Sequence, residues 1–80
     1  MSNYIEYIIE TIRDISGYEG DIVPSWDLVS KRIIKSVMLL ELISEFEEEY
    51  DFEVTAQDIY DGHFVSVESM NDFIYSKQKS

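Results

Sequence analysis

Cysteine is absent from this chain, and histidine and proline occur once each among its 80 residues. Without cysteine the chain forms no disulfide, offers no thiol nucleophile and cannot ligate zinc through thiolates. A lone histidine, His63, is too little for a histidine-rich metal site, and no nucleophile elbow surrounds any serine. The carboxylates also lack the spacing of an EF-hand calcium loop. We therefore expect no metal site and no catalysis by the chain itself, and we assign His63 to a turn.

Long apolar runs are also missing, since no stretch approaches the roughly 18 residues of a membrane span. The amino terminus lacks the basic start and the cleavage site of a signal peptide. These absences lead us to expect a soluble, cytoplasmic protein. Hydrophobic residues make up 45% of the chain, which is too apolar for a disordered acidic tail. We expect one domain, residues 1–80, with one thin core.

Basic residues are scarce: the chain has 6 bases and 17 acids, which give it a formal charge of −11. Residues 37–76 contain eleven acids and no lysine or arginine. A chain this acidic repels phosphate backbones and anionic lipid, so we expect no nucleic-acid or membrane binding. We expect a monomer whose partners carry basic patches. The same acids also fit a solvated face that only keeps a small domain in solution.

The spacing of apolar residues predicts four helices, three longer and one short, and hence an all-α four-helix bundle. The first helix covers residues 3–15, where isoleucines recur every three or four positions. Asn3 and Glu6 have the spacing of a capping pair at its start, and Gly17 is its expected stop.

The last two helices are marked by their caps. Thr55 followed by Asp58 predicts a short helix over residues 56–60. Ser66 is the expected N-cap of a final helix that ends near Ser76.

A long first loop, residues 16–35, separates the first two helices because Gly17, Gly20 and Pro24 break any periodicity. We expect one helical turn within it, over residues 26–29, since long loops without any structure are unusual in compact domains. Five apolar residues are the expected anchors of this loop on the core: Ile22, Val23, Trp26, Leu28 and Val29.

The strongest helix is predicted over residues 36–50, with Ser36 in the position of an N-cap. Its expected apolar face consists of Val37, Leu39, Leu40, Leu42, Ile43, Phe46 and Tyr50. Its polar side carries five glutamates, Glu41, Glu45, Glu47, Glu48 and Glu49. No cation lies near these acids in the sequence, so this helix is the expected docking face for basic partners.

Several segments of the chain, taken in order, resemble the acyl and peptidyl carrier proteins. They are Asp27-Leu28, the run Ile-Ile-Lys-Ser-Val-Met-Leu-Leu-Glu-Leu-Ile from Ile33 to Ile43, Glu-Glu-Glu-Tyr-Asp-Phe-Glu-Val from Glu47 to Val54, Asp58-Ile59, and Phe-Val-Ser-Val-Glu-Ser-Met from Phe64 to Met70. No single segment is specific to the family. Their order and spacing together cover nearly the whole chain, and the order of the predicted helices is that of the family.

The resemblance implies a small acyl-carrier-protein-like bundle that carries cargo and is not an enzyme. It places a 4′-phosphopantetheine arm on Ser36 through a phosphodiester, with an acyl or aminoacyl group held as a thioester on the arm. The implied partners are a phosphopantetheinyl transferase, an acyl- or aminoacyl-activating ligase and downstream acyl-transfer enzymes. The residues that match the family's partner-docking positions are Val37, Met38, Glu41, Glu45, Glu47 and Glu48.

One position departs from the family. The aspartate that commonly precedes the modified serine is Lys35 here, and Lys31 and Arg32 lie just upstream. In the family this aspartate helps the transferase to recognise the site and to hold magnesium. The chain therefore has an unusual matching transferase, is modified poorly, or is not modified. Two other functions stay open: a carrier-fold adaptor that binds a basic protein through the acidic helix, and a DNA mimic that occupies a basic nucleic-acid site.

Overall fold

Four helices form the framework of the described part of the chain. The computed structural model describes residues 4–79, apart from the side chains of Ser36 and Lys79. The helices are α1 (Ile5–Ser16), α2 (Ser36–Tyr50), α3 (Ala56–Tyr60) and α4 (Val67–Lys79). The described part of the chain contains no β-strand, so the predicted all-α chain with three longer helices and one short helix is confirmed.

The helix ends follow local capping chemistry. Gly17 ends α1 in the left-handed conformation, with φ of 72°, as its sequence position predicts. At α3 the Thr55 hydroxyl accepts from the Asp58 N–H and the Asp58 carboxylate accepts from the Thr55 N–H, which is the predicted capping box. The predicted capping pair at the start of α1 includes Asn3, which lies outside the described residues. The last helix runs to Lys79, beyond its predicted end near Ser76.

The core is one cluster of buried side chains centred on α1, which packs against both α2 and α4. The side chains with the lowest exposure are Ile8, Ile12, Leu28, Leu42, Phe46, Val67, Met70 and Ile74. Burying side chains of this kind contributes roughly 1.5–3 kcal/mol each before the opposing entropy is counted. The fold therefore depends on the inner faces of α1, α2 and α4, whereas α3 buries no residue completely.

Two residues of the predicted apolar face of α2 lie outside the core. Val37 is 65% exposed and Leu40 is 61% exposed, so their placement on the apolar face was wrong. The run from Val37 to Ile43 is apolar on nearly every side of the helix, so periodicity alone does not choose its inner face. The contact with α1 makes that choice, and it turns Leu42, Ile43 and Phe46 inward.

The first loop contains a helical turn over residues 28–32, which begins two residues later than the turn predicted over residues 26–29. Asp27 Oδ1 accepts from the N–H groups of Val29 and Ser30 at 3.1 and 3.0 Å, which caps the turn. The Lys31 N–H donates to the Asp27 carbonyl at 3.0 Å, which closes the turn. Trp26 precedes this turn and is half-buried.

Only some of the five expected residues anchor the loop on the core, and two residues that were not expected also do so. Ile22 and Leu28 are buried as expected, at 7% and 0% exposure. Val23 and Val29 are 39% and 45% exposed, so their prediction as anchors was wrong. The Val29 N–H donates to the Asp27 carboxylate, and the turn that this bond caps directs the Val29 side chain outward.

Two further anchors at the end of the loop, Ile33 and Ile34, are buried at 5% and 3% exposure.

Two long-range hydrogen bonds tie the loop to the start of α4. The Leu28 N–H donates to the Val65 carbonyl and the Glu68 N–H donates to the Pro24 carbonyl, both at 2.9 Å. The loop thereby satisfies a donor that the first turn of a helix leaves unpaired. The segment that leads into α2 is consequently held by buried side chains and by α4.

Candidate functional site

The candidate site begins where the chain enters α2. Lys35 is the N-cap residue, with extended dihedrals of φ −89° and ψ 157°, and Ser36 is the first helical residue. The Lys35 carbonyl accepts from the N–H groups of Met38 and Leu39 at 2.9 and 3.2 Å. The prediction of Ser36 as the N-cap was therefore wrong by one position, because the extended backbone ends at Lys35. The side chain of Ser36 lies outside the described part of the structure.

No described side chain caps the start of α2. The exposed Lys35 side chain makes no capping hydrogen bond, and α2 has no acid in its first turn. Among the described side chains, neither a cap nor an acid compensates the positive end of the helix dipole, and the lysine adds a like charge. Next to it Val37 presents an aliphatic side chain to solvent. The start of α2 is thus electropositive, although the chain as a whole is strongly acidic.

One side of α2 faces solvent along most of its length. Its members recur every three or four residues, the spacing of a single helix face. We call them the exposed stripe: Val37, Leu40, Glu41, Ser44, Glu45 and Glu48. The stripe has two parts, an aliphatic pair beside Ser36 and a glutamate-rich part further along. Such a surface offers apolar contact area at one end and attracts basic groups at the other.

The predicted docking residues divide between this stripe and the interior. The structure brings four of them together on the stripe, namely Val37, Glu41, Glu45 and Glu48. Met38 is half-buried and packs against the core. Glu47 is half-buried, and its Oε2 accepts from the Val54 N–H at 2.8 Å, so it also holds the α2–α3 connection.

Sequence reasoning missed two members of the stripe. Leu40 was assigned to the core face, and Ser44 was not singled out. Counting three and four positions onward from Val37 and Glu41 reaches both, so the helical period shows that these residues share a face. The period does not show that this face meets solvent, because Leu40 lies in a run of apolar residues.

The opposite end of α2 is closed by aromatic packing. The Tyr50 ring makes edge-to-face contacts with Tyr4 and Tyr7, with centroid distances of 5.2 and 5.5 Å. Gln78 Nε2 donates to the Tyr50 carbonyl at 2.9 Å, which joins the ends of α2 and α4. Burial raises the pKa of Tyr50 to about 12, and the nearby tyrosines and Glu49 act in the same direction. This end of the helix is structural.

The loop before Ser36 carries the main positive charge of the site. Lys31, Arg32 and Lys35 are all exposed. The Lys31 ammonium lies 4.8 Å from the centre of the Trp26 ring, a cation–π distance. Asp27 lies in the same turn, and hydrogen bonds led by that from the Ser30 backbone hold its pKa below the ordinary value. Its carboxylate is therefore ionised and is directed at backbone N–H groups.

Other chemistry-bearing features of the described residues do not form a second site. No group of three or more histidines and acids is arranged to hold a metal ion in that part of the chain. His63 lies in a turn, as expected, and its ring packs 4.9 Å from that of Phe73. Among the described residues no helix has the length and apolar character needed to cross a membrane.

Comparisons with known proteins found no matching family model, no matching curated protein and no matching solved structure.

Proposed function

We propose that this chain is a carrier protein that holds an acyl or aminoacyl group as a thioester on a 4′-phosphopantetheine arm attached to Ser36. The observation that supports it best is the exposed stripe, which starts beside Ser36 with two solvent-facing aliphatic side chains, at 65% and 61% exposure. Exposed aliphatic side chains carry a cost in water that burial against a partner relieves. Placed beside the attachment residue, they provide a contact surface for enzymes that act on the cargo.

The residues at the start of α2 suit a phosphodiester. A helix N-terminus favours a negative group through its unpaired N–H groups and its dipole. Lys35 adds a cation next to Ser36, and the first turn contains no acid to oppose the phosphate. The arm supplies the thiol that forms the thioester, a group that the cysteine-free chain itself lacks.

The order of the elements also supports a carrier-protein bundle. The family resemblance implies the same order: a first helix, a long anchored loop, a long helix that starts at the serine, a short helix and a last helix. In this arrangement the loop holds the start of α2 at the surface, where a large modifying enzyme can reach it. Further along the stripe, Glu41, Glu45 and Glu48 steer basic surfaces of the transferase, the ligase and the acyl-transfer enzymes.

Lys35 favours a second candidate function, that of an unmodified carrier-fold adaptor. The lysine is exposed and stands where carriers commonly have the aspartate used for transferase recognition and magnesium binding. An adaptor would use the same stripe to bind a basic partner, without an arm.

The rate of arm attachment distinguishes these two functions. The protein is incubated with coenzyme A, magnesium and a broad-specificity phosphopantetheinyl transferase, and the intact mass is followed over time. Lys35→Asp should raise the initial rate, because it restores the negative charge that such transferases recognise. Ser36→Ala should abolish attachment, and Ser44→Ala, which changes another serine of α2, is the matched control that should not.

Two results would contradict the carrier proposal. One is attachment that persists in Ser36→Ala, which would place the arm elsewhere. The other is a folded helical protein that takes no arm either as the native chain or as Lys35→Asp, which would favour the adaptor. An unchanged rate in Lys35→Asp would show instead that the lysine is no obstacle.

A further inference from the structure

Half of the six basic residues of the chain lie within five positions, at Lys31, Arg32 and Lys35. We call these three residues the basic cluster. All three side chains are exposed. Among the described side chains no carboxylate forms an ion pair with any of them, and Lys31 makes a cation–π contact with Trp26. In so acidic a chain, these three cations are therefore left without an ion-pair partner among the described residues.

The backbone of the basic cluster is fixed by the fold. The N–H groups of Lys31 and Arg32 donate to the carbonyls of Asp27 and Val29, both at 3.0 Å. The two residues that follow Arg32 are buried, at 5% and 3% exposure. The cluster is therefore presented on a rigid support, which lowers the entropy lost when it binds.

Arg32 has an unusual conformation for its residue type. Its φ is 60°, in the left-handed region where glycine sits without strain and other residues seldom do. Glycine would serve the backbone better at this position, whereas arginine supplies a guanidinium. This φ belongs to a Schellman-type closure of the turn, in which the N–H groups of Arg32 and Ile33 donate to the carbonyls of Val29 and Leu28 and hold the backbone in place.

The surroundings of the cluster limit the kind of partner that fits it. A nucleic acid or an anionic membrane would face a chain with a formal charge of −11 and the glutamates of the exposed stripe. A uniformly basic protein fits the stripe but is repelled at the cluster. A surface with acids opposite the cluster and bases opposite the stripe is complementary to both.

We propose that the basic cluster docks an acidic patch on a partner protein whose neighbouring basic residues contact the exposed stripe. The partner surface therefore carries both signs of charge. Only the identity of this partner, an enzyme that visits Ser36, rests on the proposed carrier function. Docking itself needs no arm, so it is tested separately from arm attachment.

The test uses two helical peptides of equal length as probes. Both have a lysine-rich half, and the other half is rich in glutamate in one peptide and in glutamine in the other. Binding is followed through Trp26, the only tryptophan, which lies under Lys31, and by backbone amide NMR shifts. The native chain should bind the glutamate–lysine peptide about tenfold more tightly at low salt, a preference that fades towards ~0.5 M salt.

Two charge-matched variants locate the effect. The cluster variant combines Lys31→Glu, Arg32→Glu and Lys35→Glu, and the control combines Arg13→Glu, Lys77→Glu and Lys79→Glu. Each changes the formal charge by −6, from −11 to −17. The cluster variant should lose the preference for the glutamate–lysine peptide, and the control should keep it.

Several results would overturn the inference. They are equal binding of the two peptides, a preference that survives in the cluster variant, and an absence of amide shifts within residues 26–35 when the glutamate–lysine peptide binds. Inorganic pyrophosphate giving the same Trp26 response would assign the cluster to a small phosphate ligand. Self-association without peptide, abolished in the cluster variant, would assign it to a second copy of the chain.

Discussion

Two helices of this protein begin at or next to a serine, and the two helix starts differ in almost every respect. At α4, Ser66 is 8% exposed and exchanges two hydrogen bonds of 3.1 Å with Ser69, between each N–H and the other hydroxyl. The Glu68 N–H is also paired, with the Pro24 carbonyl. At α2 the N-cap is Lys35, which makes no side-chain capping bond.

The difference shows that one sequence signature serves two purposes. A serine before an apolar run predicts a cap in both places. At α4 the prediction is confirmed, and the start of the helix is closed by groups of the protein itself. At α2 the N-cap lies one residue earlier, at Lys35, and no described side chain caps the helix, so we call this start open. Lys35 makes no capping bond at the start of α2, whereas a group added at Ser66 would break the capping pair of α4.

The largest predicted effect comes from loosening the loop that joins the two starts. Leu28 is fully buried, and its N–H bonds to the Val65 carbonyl just before α4. Leu28→Ala should lower the free energy of unfolding by about 2–5 kcal/mol, through lost burial and the cavity left behind. Urea unfolding followed by circular dichroism measures this loss. Val29→Ala, at a neighbouring exposed position, should change it by no more than ~0.5 kcal/mol.

A smaller effect is expected from removing the cap of the closed start. Ser66→Ala should cost about 0.5–2 kcal/mol of unfolding free energy, because the Ser69 N–H loses its acceptor. Ser76→Ala, at an exposed position of the same helix, should cost nothing. A similar loss in both variants would show that the Ser66–Ser69 pair does not stabilise α4.

The open start should respond in the opposite direction to added negative charge. Ser36→Asp places a carboxylate in the first turn of α2, where the dipole and Lys35 both favour an anion. It should raise the free energy of unfolding by about 0.3–1 kcal/mol at low salt. Ser36→Asn, similar in shape but uncharged, is the control. If the aspartate stabilises no more than the asparagine, or if the gain persists at high salt, the electrostatic account of this start is wrong.

The smallest effect concerns the turn between the two starts. The pKa of Asp27 is lowered, chiefly by the hydrogen bond from the Ser30 backbone. A depressed carboxyl pKa adds stability that is present above the unfolded-state value of ~3.9 and is lost as the pH falls through the folded-state value. Between pH ~7 and ~3, Asp27→Asn should therefore lose less stability than the native chain.

Chemical unfolding at the two pH values measures this difference. Asp21→Asn is the control, since that exposed carboxylate accepts no hydrogen bond from the described residues. A native-like pH dependence in Asp27→Asn would show that the turn gains nothing from the charge of Asp27.

The fold could be predicted from the sequence where local chemistry decides it. Gly17 and the pair Thr55–Asp58 fix their helix ends through contacts within a few residues, and both were predicted. The outward placement of Val37 and Leu40 could not be, because it depends on which side of α2 meets α1. The exposure of Val23 likewise depends on the path of a loop held by α4.

The candidate site shows the same division. The placement of the glutamates on the polar side of α2 was predicted, because helical spacing is a local property of the sequence. The hydrogen bond of Glu47 to Val54 was not, because it requires the chain to turn back after α2. The isolation of the basic cluster was also hidden, since the sequence does not show which carboxylates lie near Lys31, Arg32 and Lys35. Attachment of an arm at Ser36 stays a prediction.

The intact mass of the native chain after incubation with coenzyme A, magnesium and a broad-specificity phosphopantetheinyl transferase tests the central claim most directly. Peptide mapping of the product then compares the two helix starts in one molecule. The account predicts a gain of one phosphopantetheine, on the peptide that contains Ser36 and not on the one that contains Ser66. A gain on any other peptide, or no gain by a folded chain even when Lys35 is replaced by aspartate, would contradict it.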